Sequence, residues 1–258
     1  MVLLLLPPSE TKRQGGSNLT IEQVHLSYGQ LNEARDLVLE ELLKVCKSKP
    51  KAAKVLKLSP KQLGEIDLNL AIKTAPTMPA FERYEGTLYK AIDTASFTSH
   101  EVEMMRSHVL MQSALFGLIS ATDRIPWYRL SAGTVLPKVN LKKIWKEHQP
   151  AAWARLVDTP IIDLRSKAYV ELAPIPEEID SYWVEVVAED SKGQRRALNH
   201  FNKTAKGEFV GAFVRAKTAP TTLTQLKAVA KKAGLGFEVD SKTIYLITLI
   251  TSEVIRKK

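Results

Sequence analysis

Lysines crowd one short segment of this chain, where their charge suits contact with phosphate groups. Seven lysines lie between residues 47 and 73, at positions 47, 49, 51, 54, 57, 61 and 73, beside only two acidic residues, Glu65 and Asp67. Ammonium groups and the backbone N–H groups at helix starts both bind phosphate oxygens. We refer to residues 47–73 as the lysine-rich segment. Its candidate contacts with nucleic acid are Lys54, Lys57, Ser59, Lys61, Gln62 and Gly64. A solvated helical face explains the same lysines without a ligand.

Short helices joined by tight turns are predicted within the lysine-rich segment. Ser59 can cap a helix, Pro60 suits its first position, and Gln62 completes a capping box. A turn at Gly64 would resemble a helix-hairpin-helix element, in which backbone amides hold phosphates without reading bases. The second glycine that is usual in such hairpins is missing after Ile66. The motif is therefore degenerate.

A second set of polar residues follows buried strands or lies on a predicted helix, and we call it the polar cleft: Ser9, Lys12, Tyr128, Arg129, Asp163, Lys203 and Lys206. Sites in α/β sheets form where the carboxyl ends of strands meet, so these groups could bind a phosphate or a nucleotide. A structural ion pair between Arg129 and Asp163 is an equal alternative, as are a solvated loop at residues 9–12 and a solvated lysine face at residues 203–206. Gly207 would let a second backbone or a ligand approach closely.

Metal and cofactor chemistry lack their usual motifs in this sequence. The five histidines show no paired ligand spacing, and the one cysteine, Cys46, cannot build a thiolate site. There is no Walker loop, no glycine-rich dinucleotide fingerprint and no GxSxG elbow. We therefore expect no catalytic residue set, no cofactor and no tightly bound metal.

Charge and cysteine usage narrow the class of protein. Lysine and arginine exceed aspartate and glutamate by nine, 37 against 28, and the pI is about 9.5. This balance is typical of nucleic-acid-binding domains, although basic proteins also bind anionic metabolites. A lone cysteine needs no oxidising compartment, and the apolar run at residues 2–6 is too short for a signal sequence or a membrane span. These features predict a cytoplasmic protein that does not enter membranes.

Alternating strand and helix patterns must position these residues. Apolar runs predict strands at 2–6, 109–119, 161–164, 182–188, 237–239 and 243–249. Helical spacing predicts a long helix over 28–47, another over 203–217 and a third capped by Thr222. A charged turn is predicted at 190–193, followed by a strand that ends near His200.

Without repeats or a flexible linker, this pattern predicts a single compact unit over residues 1–258. Its fold class is α/β, with a mixed β-sheet core surrounded by helices and a helix-hairpin-helix-like element near residues 50–73.

Six short blocks follow one another along nearly the whole chain. They are LLLLPPSETK at 3–12, YEGTLY at 84–89, LFGL at 115–118 with Asp123, PWYRL at 126–130, IDLRS at 162–166 with Tyr169, and KTAKG at 203–207. In this order they resemble the YaaA family of bacterial peroxide-stress proteins. The chain departs from the family pattern at Asp163, Arg165 and Lys206, and at residues 131–132, which indicates a divergent branch.

The resemblance implies an α/β fold with helices around a sheet, a helix-hairpin-helix element near the lysine-rich segment, a positively charged cleft and binding of double-stranded DNA. It also implies a role in limiting oxidative damage and unincorporated iron during peroxide stress.

Two functions compete at this point. One is a DNA-binding protective protein, and the other is an enzyme acting on a nucleotide or another phosphate-containing ligand through the polar cleft. A lysine-rich segment contiguous with the polar cleft would favour a single nucleic-acid surface. A deep closed pocket far from that segment would favour the enzyme.

Overall fold

Apolar runs of the sequence become the central strands of a mixed sheet in the computed structural model of the protein. The structure describes residues 1–190, 194–197 and 201–249. The strands are β1 (Leu3–Leu6), β2 (Met78–Pro79), β3 (Val109–Ser113), β4 (Gly117–Ser120), β5 (Arg124–Ile125), β6 (Ile161–Asp163), β7 (Ser181–Glu189), β8 (Arg195–Ala197), β9 (Gly236–Asp240) and β10 (Thr243–Leu249).

Helices surround this sheet. They are α1 (Asn32–Cys46), α2 (Lys49–Val55), α3 (Glu65–Leu70), α4 (Ala80–Arg83), α5 (Thr87–Ile92), α6 (Ser99–His108), α7 (Leu141–His148), α8 (Pro150–Trp153), α9 (Lys167–Leu172), α10 (Phe201–Val214) and α11 (Leu223–Lys232). Short 3-10 helices lie at Ile21–Gln23, Gly29–Leu31, Pro60–Gln62, Thr94–Ser96 and Ala154–Leu156. No helix in the described parts of the chain combines the length and apolar character needed to cross a membrane.

Within the described residues, eight strands form one sheet in the order β4-β3-β1-β6-β7-β10-β9, with β8 also paired to β7. β1 lies parallel between β3 and β6, and β7 is parallel to both β6 and β10. β4, β8 and β9 are antiparallel to their neighbours. The carboxyl ends of β1, β3 and β6 therefore share one edge of the sheet, at Leu6, Ser113 and Asp163.

The core has the pattern that a covered parallel sheet requires. Every residue of β1 is buried, as expected for a central strand with helices on both faces. The predicted long helix is confirmed as α1, which buries Ala34, Val38, Leu42 and Val45 at helical spacing. The α/β class and the mixed sheet surrounded by helices are thus confirmed.

The apolar run at 109–119 forms two strands rather than the single strand predicted. β3 ends at Ser113, whose hydroxyl accepts two backbone N–H groups of the following turn at 3.1 and 3.0 Å. β4 then begins at Gly117, which has φ +65° and whose added Cβ would lie 2.4 Å from the Trp145 ring. Only glycine fits this position. The apolar run therefore folds as two strands joined by a turn.

The remaining predicted elements of the carboxyl-terminal third match the structure closely. The strands at 182–188, 237–239 and 243–249 are β7, β9 and β10. Thr222 caps α11, where its side chain accepts the Gln225 N–H at 3.2 Å. Residues 191–193 and His200, in the predicted charged turn and at the predicted strand end, lie outside the described residues.

Candidate nucleic-acid interface and polar cleft

The loop after β1 is joined to the chain that precedes α5. The Glu85 N–H donates to the Thr11 carbonyl at 2.9 Å. Gly86 has φ +113°, and a Cβ added there would lie 2.7 Å from Ser9 Oγ, so glycine is required for this close approach. The first two sequence blocks are therefore one structural unit at the carboxyl edge of the sheet.

Lys12 is buried inside that unit, with 7% of its surface exposed. Its ammonium donates to the Ser9 carbonyl at 2.8 Å and lies 4.2 Å from the centroid of the Tyr128 ring and 5.5 Å from that of Tyr84. Burial lowers the pKa of Lys12 to about 7, although the Glu10 carboxylate partly opposes this shift. Lys12 therefore changes charge near neutral pH.

The Tyr128 ring contacts the Lys12 ammonium and is itself held by hydrogen bonds. Its buried hydroxyl lies 2.8 Å from the Tyr84 hydroxyl and 2.9 Å from Ser113 Oγ. Burial raises the pKa of both tyrosines well above the ordinary value, so both rings stay neutral. These hydroxyl contacts at the end of β3 hold the Tyr128 ring against which the Lys12 ammonium lies.

Arg129 connects the polar cleft to the lysine-rich segment. Its Nε lies 3.5 Å from Glu10 Oε2 and 3.5 Å from Glu65 Oε2, the latter at the start of α3. Buried Asn69 of α3 accepts the Arg129 N–H at 2.7 Å and donates to its carbonyl at 3.0 Å. The two regions are therefore contiguous.

Asp163 is engaged in a buried ion pair, and its alternative pairing with Arg129 is not observed. Arg165 Nη2 lies 2.7 Å from Asp163 Oδ2, and Nε donates to Oδ1 at 2.9 Å. The remaining guanidinium nitrogen, Nη1, donates to the carbonyls of Tyr169 and Ala173. Arg165 is completely buried and Asp163 nearly so. Asp163 therefore holds the chain after β6 and has little freedom to bind a ligand.

Lys206 lies beside this pair, on α10. Only 5% of its surface is exposed, and its ammonium donates to the Leu164 carbonyl at 3.1 Å. Burial lowers the pKa of Lys206 to about 8, while the carboxylates of Asp163 and Glu185 oppose the shift. At Gly207, a Cβ would lie 2.3 Å from the Leu88 carbonyl oxygen, so the expected close approach is made by the backbone of α5.

Two neighbouring cavities open at this edge of the sheet. One encloses about 310 Å³ and is lined by Trp183 and Lys206. The other encloses about 380 Å³ and is lined by Ser9 and Tyr169. The residues common to both are Pro7, Leu88, Ser166 and Lys203. Ser9, Lys203 and Lys206 therefore line two adjoining cavities. Lys12, Tyr128 and Arg129 form a cluster beside them.

The lysine-rich segment presents its charges to solvent. All seven of its lysines are exposed. Lys49 forms an ion pair with Asp67 at 3.1 Å, and among the described residues none of the other six has a carboxylate within ion-pair distance. Six positive charges of the lysine-rich segment therefore have no ion-pair partner among the described residues.

The predicted capping box at Ser59 is confirmed, because its N–H and hydroxyl donate to Gln62 Oε1 at 3.1 and 2.8 Å. A turn lies at Leu63 and Gly64, between the 3-10 helix and α3, but Gly64 has φ −62° and ψ −19°, a right-handed conformation that does not require glycine. The left-handed backbone conformation of this segment occurs earlier, at Lys57, which has φ +53°. The helix-hairpin-helix element is accordingly not confirmed, because the left-handed position falls on Lys57 and not on Gly64.

Sequence reasoning missed two residues of this region, Trp183 and Glu65. Trp183 is the second residue of the predicted strand at 182–188, and its position opposite Asp163 is visible only in the register of β6 and β7. Glu65 was noted only as an exception among lysines. Neither contact can be read from local spacing, because each depends on which elements pack together.

Comparison with known proteins extends over nearly the whole chain. The sequence profile of the family described as peroxide stress protein YaaA matches residues 2–242. A UPF0246 protein of Corynebacterium glutamicum is 38% identical over 256 residues, covering 96% of this chain and 100% of the relative. A UPF0246 protein of Streptomyces coelicolor is 34% identical over 244 residues, covering 93% of each.

Proposed function

Because this chain belongs to the peroxide stress protein YaaA family, we propose that it binds double-stranded DNA without sequence preference, through the lysine-rich segment and the adjoining polar cleft. In the response to peroxide stress, such binding would protect DNA from iron-mediated oxidative damage.

One observation carries the proposal: the exposed, unpaired lysines adjoin the polar cleft through Arg129. The Arg129 guanidinium lies between Glu10 of the cleft and Glu65 of α3. A phosphate chain following the lysines would therefore pass Arg129 on its way to Lys203, which lines the same cavity as Glu10. Counterion release by lysines in contact with phosphate is the main source of sequence-independent affinity for DNA.

The chemistry of the candidate contacts explains the expected lack of sequence preference. Lysine ammonium groups and backbone amides bind phosphate and sugar, which carry no direct information on sequence. Base reading needs side chains with fixed pairs of donors and acceptors placed in a groove. Gln62, the amide among the candidates, is already engaged in the capping box with Ser59.

The test is to titrate the protein into short labelled duplexes of two unrelated sequences. Fluorescence anisotropy measures the binding at a series of salt concentrations. We expect equal affinity for both sequences and a log–log salt slope of about −0.9 for each phosphate neutralised. The variant K54A/K57A/K61A should bind more weakly and have a slope shallower by up to about 2.7 units, or about 0.9 for each lysine removed.

A matched control removes the same number of charges from another helix. Lys227, Lys231 and Lys232 are exposed on α11, which packs against β9 at the far edge of the sheet. Their triple alanine variant should keep most of the affinity. Equal losses of DNA affinity in the two triple variants, or a binding constant that does not change with salt, would contradict the proposed interface.

A second candidate function is an enzyme acting on a nucleotide or another phosphate-containing ligand. The observation that favours it is the pair of buried lysines at the carboxyl edge of the sheet, Lys12 and Lys206, whose pKa values are lowered to about 7 and about 8. Strongly shifted lysines beside a cavity are common in catalytic sites. If a variant that lacks both Lys12 and Lys206 still binds DNA, the two lysines serve a function other than DNA binding.

A further inference from the structure

The cavity lined by Trp183 and Lys206, which we call the Trp183 cavity, has the size and chemistry of a small-ligand site. It encloses about 310 Å³, near the lower end of the range for such sites. We propose that the Trp183 cavity binds a single nucleotide unit, with its base against Trp183 and its phosphate near Lys203. The inference rests on the proposed function only where that nucleotide is an unpaired residue of DNA, and a free mononucleotide offers the same chemistry.

The aromatic wall is held in place before any ligand arrives. Trp183 lies half-buried on β7, and its indole N–H donates to the Arg165 carbonyl at 3.3 Å. The apolar walls of the cavity come from residues such as Leu88 and Val186. The Lys167 and Lys206 ammonium groups lie 5.7 and 5.9 Å from the centroid of the indole ring. A fixed indole ring suits stacking, because each base has a π-face and the ring loses little freedom on binding.

The positive charge in the cavity is only partly satisfied by the protein. An ammonium group has three N–H donors, and Lys206 uses one on the Leu164 carbonyl. Within the described residues, no other hydrogen-bond acceptor lies in range of this nitrogen. The carboxylate of Asp163, which is the nearest natural partner, is already engaged by Arg165. A ligand that brings acceptors would complete the hydrogen bonding of Lys206.

The arrangement of charges along the cavity suggests which end takes the phosphate. Lys203 and Ser166 are exposed and also line the neighbouring cavity, the one that Ser9 and Tyr169 line, so a phosphate there would lie at the opening of the Trp183 cavity. Glu185 and Asn202 line the cavity as well. A carboxylate repels phosphate but accepts hydrogen bonds from an exocyclic amino group such as cytosine N4. The base therefore belongs on the Glu185 side.

The experiment is isothermal titration of the full chain with dCMP, and in parallel with deoxycytidine and with inorganic phosphate. We expect saturable binding of dCMP that is stronger than binding of either fragment. Trp183→Leu should weaken it by about tenfold or more, which is the scale of base–aromatic stacking. Lys206→Met should weaken it as well, because it removes the unused ammonium donors. Thermal unfolding of each variant verifies the fold, and Lys203→Ala, an exposed position, serves if either buried-residue variant fails to fold.

Tyr182→Leu is the matched control. Tyr182 precedes Trp183 on β7, carries the Lys242 ammonium 4.9 Å from its ring centroid, and is not among the residues lining the cavity. Its loss should leave dCMP binding unchanged. Equal weakening by Tyr182→Leu and Trp183→Leu would overturn the assignment of the site.

A second measurement distinguishes the two sources of nucleotide. A labelled duplex with one unpaired dC is compared with its fully paired counterpart in wild type and Trp183→Leu. A preference for the unpaired duplex that Trp183→Leu removes supports a DNA nucleotide as the occupant, and dCMP binding without that preference supports a free nucleotide. If neither dCMP nor the unpaired dC is bound in the cavity, the inference is overturned, while ordinary duplex binding keeps the proposed function intact.

Discussion

Lysine plays two physically different roles in the two halves of the candidate surface. In the lysine-rich segment the side chains are exposed, and six of the seven have no ion-pair partner among the described residues. In the polar cleft Lys12 and Lys206 are buried and each donates to a backbone carbonyl. Burial lowers the pKa of Lys12 to about 7 and that of Lys206 to about 8. The same residue type therefore supplies a diffuse field in one region and a titratable group in the other.

This difference shows why net charge alone does not locate function. An exposed ammonium keeps its hydration and contributes to affinity nearly independently of its neighbours. A buried ammonium loses hydration, so its charge depends on the surrounding carboxylates, carbonyls and rings. Substitutions should consequently change binding but spare the fold in the lysine-rich segment, whereas in the cleft they should change stability as well.

The largest effect is expected from Asp163→Ala in the cleft. This change leaves the guanidinium of Arg165 buried without its carboxylate, which should lower the free energy of unfolding by about 3–5 kcal/mol. Urea denaturation measures the loss. The matched change in the other region is Asp67→Ala, which removes the partner of Lys49 from an exposed ion pair and should have a small effect. Similar stability losses in both variants would remove the contrast between the regions.

A smaller effect, and one that depends on pH, is expected at Lys12. Its folded pKa of about 7 lies below the ordinary value of 10.5, so between these pH values the unfolded chain binds more protons at this site. The free energy of unfolding should therefore rise with pH, by up to about 1.4 kcal/mol for each pH unit. Lys12→Met should remove the contribution of Lys12 to this rise and leave that of Lys206, whose pKa is about 8. Urea denaturation from pH 6 to pH 9 measures the change.

Lys61→Met is the control for that measurement because Lys61 is exposed. It should have the same pH dependence of unfolding as the wild type, and the difference between the two variants cancels the titration of all other groups. The same pH dependence in Lys12→Met and Lys61→Met would mean that Lys12 keeps its charge in the folded protein throughout this range.

The smallest effect is expected at Gly64, and it tests whether this residue of the lysine-rich segment lies in the DNA interface. Gly64 has helical dihedral angles, and a Cβ built there meets nothing within 4 Å. Gly64→Ala should therefore stabilise the free protein by roughly 0.5–1 kcal/mol. It should also weaken duplex binding modestly, since a methyl group would keep phosphates from the exposed backbone. An unchanged affinity in the stabilised variant would place Gly64 outside the DNA interface.

Local sequence signals predicted the parts of the molecule that depend on near neighbours. The buried strand at residues 2–6, the long helix that became α1, the capping box at Ser59 and the cap at Thr222 all follow from hydrophobic period or from hydrogen bonds within four residues. The single strand expected at 109–119 was wrong because hydrophobicity alone cannot distinguish one strand from a tight hairpin. Gly117 carried the correct signal, since it has to pass the Trp145 ring.

What the sequence determined by itself was the α/β class, the excess of positive charge, the position of most elements and, through six ordered blocks, the family. Only the tertiary structure decided which polar residues act together. It paired Asp163 with Arg165, placed Arg129 between Glu10 and Glu65, and buried Lys12 and Lys206. The physical reason is that the shift in a pKa and the partner of a charge depend on groups that are distant in sequence, which meet only when parallel strands align their carboxyl ends.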